Sequence, residues 1–121
     1  MFADRLVDAV ATYGPLCVGI DPHAGRVPDL FGGDTGEGLA NWGEAIVEAA
    51  AGRVAAVKPQ VGLFERIGPD GMVALQRVCR AAREAGLLVL ADAKRGDIGS
   101  TAEGYASAYL CLLYTSPSPR D

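Results

Sequence analysis

Three short apolar runs, Leu16–Ile20, Val54–Val57 and Leu87–Ala91, are separated by segments long enough to be helices, and they limit what this chain can fold into. None of them alternates apolar with polar residues, so each reads as a parallel strand covered on both faces. The intervening periodicity is helical. Leu39, Trp42, Ile46, Ala49 and Ala50 share one face of a helix running from about residue 37 to 51, which Gly52 ends. Pro69 opens a longer helix with Met72, Leu75, Val78, Cys79 and Ala82 on its apolar face, and Arg77, Arg80, Arg83 and Glu84 on its wet face. Gly86 stops it. A helix from Phe2 to about Thr12 is broken by Gly14-Pro15. Residues 21–35 read as a Gly/Pro-rich loop, and shorter helical patterns cover 61–67 and 99–110.

Strands that alternate with helices make β-α units and a parallel α/β sheet. Each apolar run ends in charge: Asp21 after the first, Lys58 after the second, Asp92 and Lys94 after the third. In parallel β/α folds these carboxyl ends meet on the ligand-binding face, so the charges are expected to be neighbours in space. A Rossmann sheet is the alternative, but Asp21-Pro22-His23-Ala24-Gly25 follows the first strand where G-x-G-x-x-G would be needed. Three units of roughly 35–40 residues fit the repeat length of a (β/α)8 barrel of about 300 residues. The expected fold is therefore α/β, the N-terminal three β-α units of a truncated (β/α)8 TIM barrel.

Composition excludes several functions. The chain is 50% hydrophobic and 21% charged, which is the make-up of a soluble globular protein. A net charge of −4, with the arginines scattered among acids, argues against nucleic-acid binding. No apolar run approaches the length of a membrane span, and the N-terminus has no apolar core of a signal peptide. Cys17, Cys79 and Cys111 are odd in number and far apart, so neither a disulfide framework nor zinc is expected, and a reducing cytoplasm fits best. The last residues, 111–121, shift abruptly to a Ser/Pro-rich composition. They back-translate to a transposon-type sequencing-library adapter, so residues 1–110 are read as native and 111–121 as adapter-derived.

The segment Leu90-Ala-Asp-Ala-Lys-Arg-Gly-Asp-Ile-Gly-Ser-Thr101 carries the strongest chemical signal. Asp92, Lys94 and Asp97 lie within six residues of one another. As a surface salt bridge the group is worth little stability. It is better suited to holding an ammonium in a fixed place for chemistry. The spacing Asp-x-Lys-x-x-Asp, followed by Ile98 and by Thr101, resembles the catalytic motif of the orotidine 5'-phosphate decarboxylase family. Val18-Gly-Ile-Asp-Pro22 and Val57-Lys-Pro-Gln-Val-Gly62 resemble that family's first- and second-strand motifs. The resemblance covers about residues 14 to 108.

The resemblance implies a TIM barrel that converts orotidine 5'-phosphate to UMP in de novo pyrimidine synthesis, without metal or organic cofactor. It implies that Lys94 stabilises and protonates the carbanion, that Asp92 lies by the leaving carboxylate, and that Lys58 fixes Asp92 and the ribose. Asp21 is implied to bind the ribose hydroxyls. Ile98 and Thr101 are implied to bind substrate, with Asp97 and Thr101 supplied by the partner subunit of a homodimer. Taken without the resemblance, Asp21 before a proline is a common turn or cap aspartate, and Lys58 could simply snorkel to water. His23, the one histidine, sits in the Gly/Pro-rich loop and is left unassigned. Trp42, Phe31 and Phe64 read as packing residues. The family's phosphate-gripping loops belong to the second half of the barrel, so this polypeptide by itself is expected to be inactive. Two competing readings are a magnesium-dependent sugar-phosphate decarboxylase or aldolase of the same barrel group, and a non-functional truncated fragment. The first usually carries Ala or Gly where this chain has Ile98.

Overall fold

The computed structural model describes residues 1–113. The elements follow in the order α1 (Phe2–Tyr13), β1 (Cys17–Ile20), α2 (Gly36–Ala50), β2 (Ala56–Pro59), α3 (Val61–Glu65), α4 (Pro69–Glu84), β3 (Leu88–Val89) and α5 (Gly99–Ala106). A single 3-10 turn, Asp29–Phe31, interrupts the loop after β1, and α5 continues as a π-helical turn over Ser107–Leu113. The three strands form one parallel sheet in the order β1-β2-β3. This is the expected α/β arrangement of three consecutive β-α units. Of the segment assigned to an adapter, residues 114–121 lie outside the described residues.

Local chemistry sets the helix ends. Thr35 caps α2, its hydroxyl oxygen accepting the Gly38 N–H at 2.9 Å. Pro69 occupies the first turn of α4, where its missing N–H costs nothing. Gly86 ends that segment at φ 81, a conformation that a Cβ disfavours. Helices α2 and α4 pack side by side. At their closest approach a Cβ on Gly43 would stand 2.5 Å from Val78 Cγ2, so the contact requires glycine. Arg77, expected on the wet face of α4, is half-buried there instead. Its guanidinium donates to Glu44 at 2.9 Å and to Glu37 at 3.2 Å, tying α4 to α2.

The core contains Ile20, Leu39, Val57, Phe64, Leu75 and Val78, all fully buried. Trp42 and Phe31 pack on its margin, as expected of packing residues. The expectation of strands covered on both faces holds for β2 and fails for β1. In β1, Ile20 is buried and Val18 half-buried, whereas Cys17 and Gly19 are exposed. Helices cover one face of the sheet, and no described residue covers the other face at β1. Helix α1 forms where the periodicity put it, yet none of its residues is buried.

The third strand is shorter than the apolar run Leu87–Ala91 predicts, and Pro59 is the reason. Leu88 N–H bonds Ala55 O at 3.2 Å and Leu90 N–H bonds Val57 O at 2.9 Å. In a parallel ladder the next bond would run from the N–H of residue 59 to Leu90 O, and proline has no N–H to give. Pairing resumes one step later. Asp92 N–H meets Pro59 O at 3.2 Å and Val61 N–H meets Asp92 O at 3.2 Å, so Gln60 and Asp92 form an isolated parallel bridge.

Candidate active site

That isolated bridge positions the charged cluster. It pins Asp92 beside the end of β2, where Lys58 and Gln60 lie two residues apart. Residues at that spacing on an extended strand share a face, and both side chains reach the Asp92 carboxylate. Lys58 Nζ lies 3.8 Å from Asp92 Oδ2, and Gln60 Nε2 donates to the same oxygen at 2.9 Å. Asp92 Oδ1 accepts from the Lys94 ammonium. The carboxylate thus accepts one hydrogen bond from a neutral amide and one from an ammonium, with the Lys58 ammonium at ion-pair distance. The Lys94 hydrogen bond, then that of Gln60, hold its pKa below the ordinary carboxylate range.

Lys94 reaches back to Asp92 through an unusual backbone. Its φ is 53, and it is the one described residue other than glycine with a positive φ. That conformation costs an L-residue about 1–2 kcal/mol, a penalty found most often at functional sites. The Lys94 side chain is still 73% exposed, so its anchored ammonium faces open space. The loop that carries it is clamped by Arg95, which donates to Ala93 O at 2.9 Å and pairs with Glu65 at 2.5 Å. The next residue of the same segment, Arg66, clamps the loop after β1. It donates to Pro22 O at 3.0 Å and to Asp34 Oδ1 at 2.8 Å. Asp34 Oδ2 in turn accepts the Gly25 N–H at 2.8 Å. Adjacent residues at the end of α3 therefore hold the loops after β1 and β3.

Asp21 follows directly on β1, whose last residue, Ile20, accepts the Gln60 N–H at 3.1 Å. Its Oδ1 is a buried oxygen with no hydrogen-bond partner. An unpaired buried acceptor costs about 1–3 kcal/mol unless something donates to it, so it is a natural place for a ligand hydroxyl. His23 is exposed, consistent with leaving it unassigned.

The remaining sequence-predicted residues are not brought to this cluster. The Asp97 carboxylate is exposed and accepts the N–H of its neighbour Ile98 at 2.8 Å. Ile98 is 84% exposed, and Thr101 is exposed as well. Asp97 instead lines a cavity of about 600 Å³ along the free edge of β3, with Val89, Tyr105 and the start of α1. That cavity is mostly apolar, and Asp92, Lys58 and Gln60 are not among the residues that line it.

Sequence reading missed Gln60, Glu65 and Arg66. Gln60 could have been found from its spacing to Lys58 on the same strand. Nothing local distinguishes Glu65-Arg66 from any charged pair at a helix end.

The family model for orotidine 5'-phosphate decarboxylase / HUMPS matches residues 14–114. An orotidine 5'-phosphate decarboxylase of Nocardioides sp. is 54% identical over 109 residues, covering 90% of this chain and 40% of the relative. Among solved structures, a Streptomyces avermitilis protein assigned as orotidine 5'-phosphate decarboxylase superposes with a TM-score of 0.81 at 48% identity, covering 88% of this chain and 38% of that one. The Leishmania donovani OMP decarboxylase superposes at 0.79 with 35% identity, covering 94% and 41% respectively. The chain spans about 40% of the length of the curated relatives it matches.

Proposed function

Because this chain belongs to the orotidine 5'-phosphate decarboxylase / HUMPS family, we propose that residues 1–110 are the N-terminal part of an enzyme that decarboxylates orotidine 5'-phosphate to UMP in pyrimidine biosynthesis. The observation that carries this reading is the Asp92 carboxylate, which anchors the Lys94 ammonium while leaving it open to a ligand. An ammonium held this way is preorganised for a negative charge that develops beside it.

Loss of CO2 leaves an electron pair on ring carbon six of the pyrimidine. Lys94 stabilises that pair and then delivers a proton to the same carbon, becoming a neutral amine. Asp92 lies by the departing carboxylate, and repulsion between two like charges at about 4 Å is about 4 kcal/mol at an effective dielectric of about 20. Large enzymatic accelerations correspond to roughly 20 kcal/mol of barrier. Repulsion alone is too small, so most of the effect comes from stabilising the carbanion, assisted by binding energy from the ribose and phosphate. Lys58 holds Asp92 and, with the unpaired Asp21 oxygen, meets the ribose hydroxyls. Asp97 and Thr101, both exposed, serve the site of a second subunit in a homodimer, and Ile98 and Thr101 bind substrate. The enzyme is placed in a reducing cytoplasm, which an odd number of widely spaced cysteines with no C-x-x-C motif suits.

The test is a full-length chimera in which residues 1–110 replace the matching N-terminal part of the Nocardioides sp. relative. It is expected to release CO2 from orotidine 5'-phosphate in the presence of EDTA, and Lys94→Ala is expected to nearly abolish turnover. Activity lost to EDTA and restored by magnesium would support a sugar-phosphate enzyme instead. Sequencing the genomic locus across residue 110 tests the adapter reading of 111–121.

A further inference from the structure

We propose that Gln60 is a positioning residue, whose side-chain amide sets the orientation of the Asp92 carboxylate so that Oδ1 meets Lys94 and Oδ2 faces Lys58. The inference deepens the decarboxylase reading and rests on it for its kinetic consequences; the geometry stands without it.

Rotation of an aspartate carboxylate about its last bond is soft, so its direction is set by its partners. Two of the three partners are poor at fixing direction. Lys94 stands on an exposed loop, and Lys58 is 3.8 Å away with a side chain 39% exposed. Both are ammonium groups on flexible stems. Gln60 differs on each count. Its backbone is tied to β1 through the bond to Ile20 O at 3.1 Å, and to Asp92 by the parallel bridge. Its amide lies 2.9 Å from Asp92 Oδ2. It also donates without charge, so it orients the carboxylate while leaving the balance of one acid between two ammonium groups unchanged.

The position of Gln60 in the chain supports the same conclusion. Gln60 is the residue that precedes α3, where a side chain ordinarily caps the helix. Its side chain makes no capping hydrogen bond and is directed to Asp92 instead. A residue serving helix stability alone would be Ser, Thr, Asp or Asn, capping its own helix. The charged groups that face Asp92 are Lys94 from its own loop and Lys58 from β2. Gln60 is the one neutral side-chain donor to it among the described residues.

Two variants of the chimera test this. Gln60→Met keeps the volume and removes the donor; Gln60→Glu puts a second acid against Asp92. Both should lower kcat by roughly 10- to 100-fold, because misplacing a reacting group by about 1 Å has that effect. KM should change less than kcat. The acid limb of the kcat profile should move to higher pH in Gln60→Met, since Asp92 loses a donor that favours its ionised form. An activity-independent readout is the carboxyl resonance of Asp92, followed by 13C NMR as the pH is lowered. It should titrate at higher pH in Gln60→Met, and higher still in Gln60→Glu. If the unmutated chimera proves inactive on orotidine 5'-phosphate, the functional reading fails while the titration still decides the role of Gln60. An Asp92 titration unmoved by both variants would overturn the proposal, as would a fall in kcat explained wholly by lower thermal stability with the pH profile in place.

Discussion

Gly71→Ala and Gly62→Ala add the same methyl group to neighbouring helices and should have opposite effects. Gly71 lies in the first turn of α4, where a Cβ would stand 1.8 Å from Phe64 O and 2.7 Å from Ile67 Cγ1. Real Cβ contacts do not fall below 3.0 Å, so α4 and the end of α3 must separate by more than an ångström. The obstructing atom is backbone, and Phe64 is fully buried, so no side chain can swing aside. Overpacking a core in this way costs about 3 kcal/mol, toward the upper end of its usual range. In a chain of about 250 residues that lowers the melting temperature by roughly 6–12 °C. The consequence reaches the site, because the displaced end of α3 carries Glu65 and Arg66, which clamp the loops after β3 and β1. A misplacement of about 1 Å there should reduce kcat by about 100-fold. At Gly62, inside α3, a Cβ meets nothing within 4 Å. Alanine there should stabilise by about 0.5 kcal/mol, through the reduced freedom of the unfolded chain. The assay is thermal and denaturant unfolding of the two variants in the chimera, with turnover measured on the same samples. Equal shifts in the two variants, or a Gly71→Ala protein that melts with the parent, would refute the packing argument.

Other outcomes follow from the same structure. The 121-residue chain expressed alone should be inactive and aggregate, because β3 has no strand partner on its outer edge among the described residues and Cys17 and Gly19 of β1 are exposed; a soluble monomer with a cooperative melt would contradict this. Mixed Lys94→Ala and Asp97→Ala chimeras, after subunit exchange, should recover about a quarter of wild-type activity, since half the dimers are mixed and each carries one intact site. No recovery after verified exchange would show that Asp97 acts within its own subunit. The folded-state pKa of Asp92 is depressed, chiefly by the Lys94 hydrogen bond and then by Gln60. Its stabilising contribution is therefore complete above the unfolded carboxyl value of about 3.9 and lost as pH falls through the folded value. The melting temperature of Lys94→Met should accordingly depend less steeply on pH below about pH 4 than that of the parent.

Much of this architecture is written in local chemistry. Thr35, Pro69 and Gly86 mark helix ends through capping, a missing N–H and a left-handed turn, none of which depends on distant residues. The three apolar runs specify buried strands, and strand-helix alternation makes them parallel. The charges after those strands then fall at one end of the sheet, and for this reason the meeting of Lys58 with Asp92 was legible before any coordinates. The pairing of Lys94 with Asp92 was legible for a simpler reason, because the two residues are neighbours in sequence.

Other features depend on pairings between segments far apart in the chain. Pro59 reads locally as the end of a strand, but only the β2–β3 register shows that its missing N–H falls opposite Leu90 and cuts the ladder. That register also delivers Gln60 to Asp92, 32 residues away, turning an ordinary glutamine into part of the charged cluster. The apolar stripe of α1 and the continuous apolar character of β1 both called for burial, and burial is a property of what covers a surface. Asp97 lies three residues from Lys94, yet its carboxylate accepts its own neighbour's N–H rather than joining the cluster around Asp92. Spacing along a chain sets which residues can meet, and the path of the backbone between them, here through the left-handed turn at Lys94, decides which ones do.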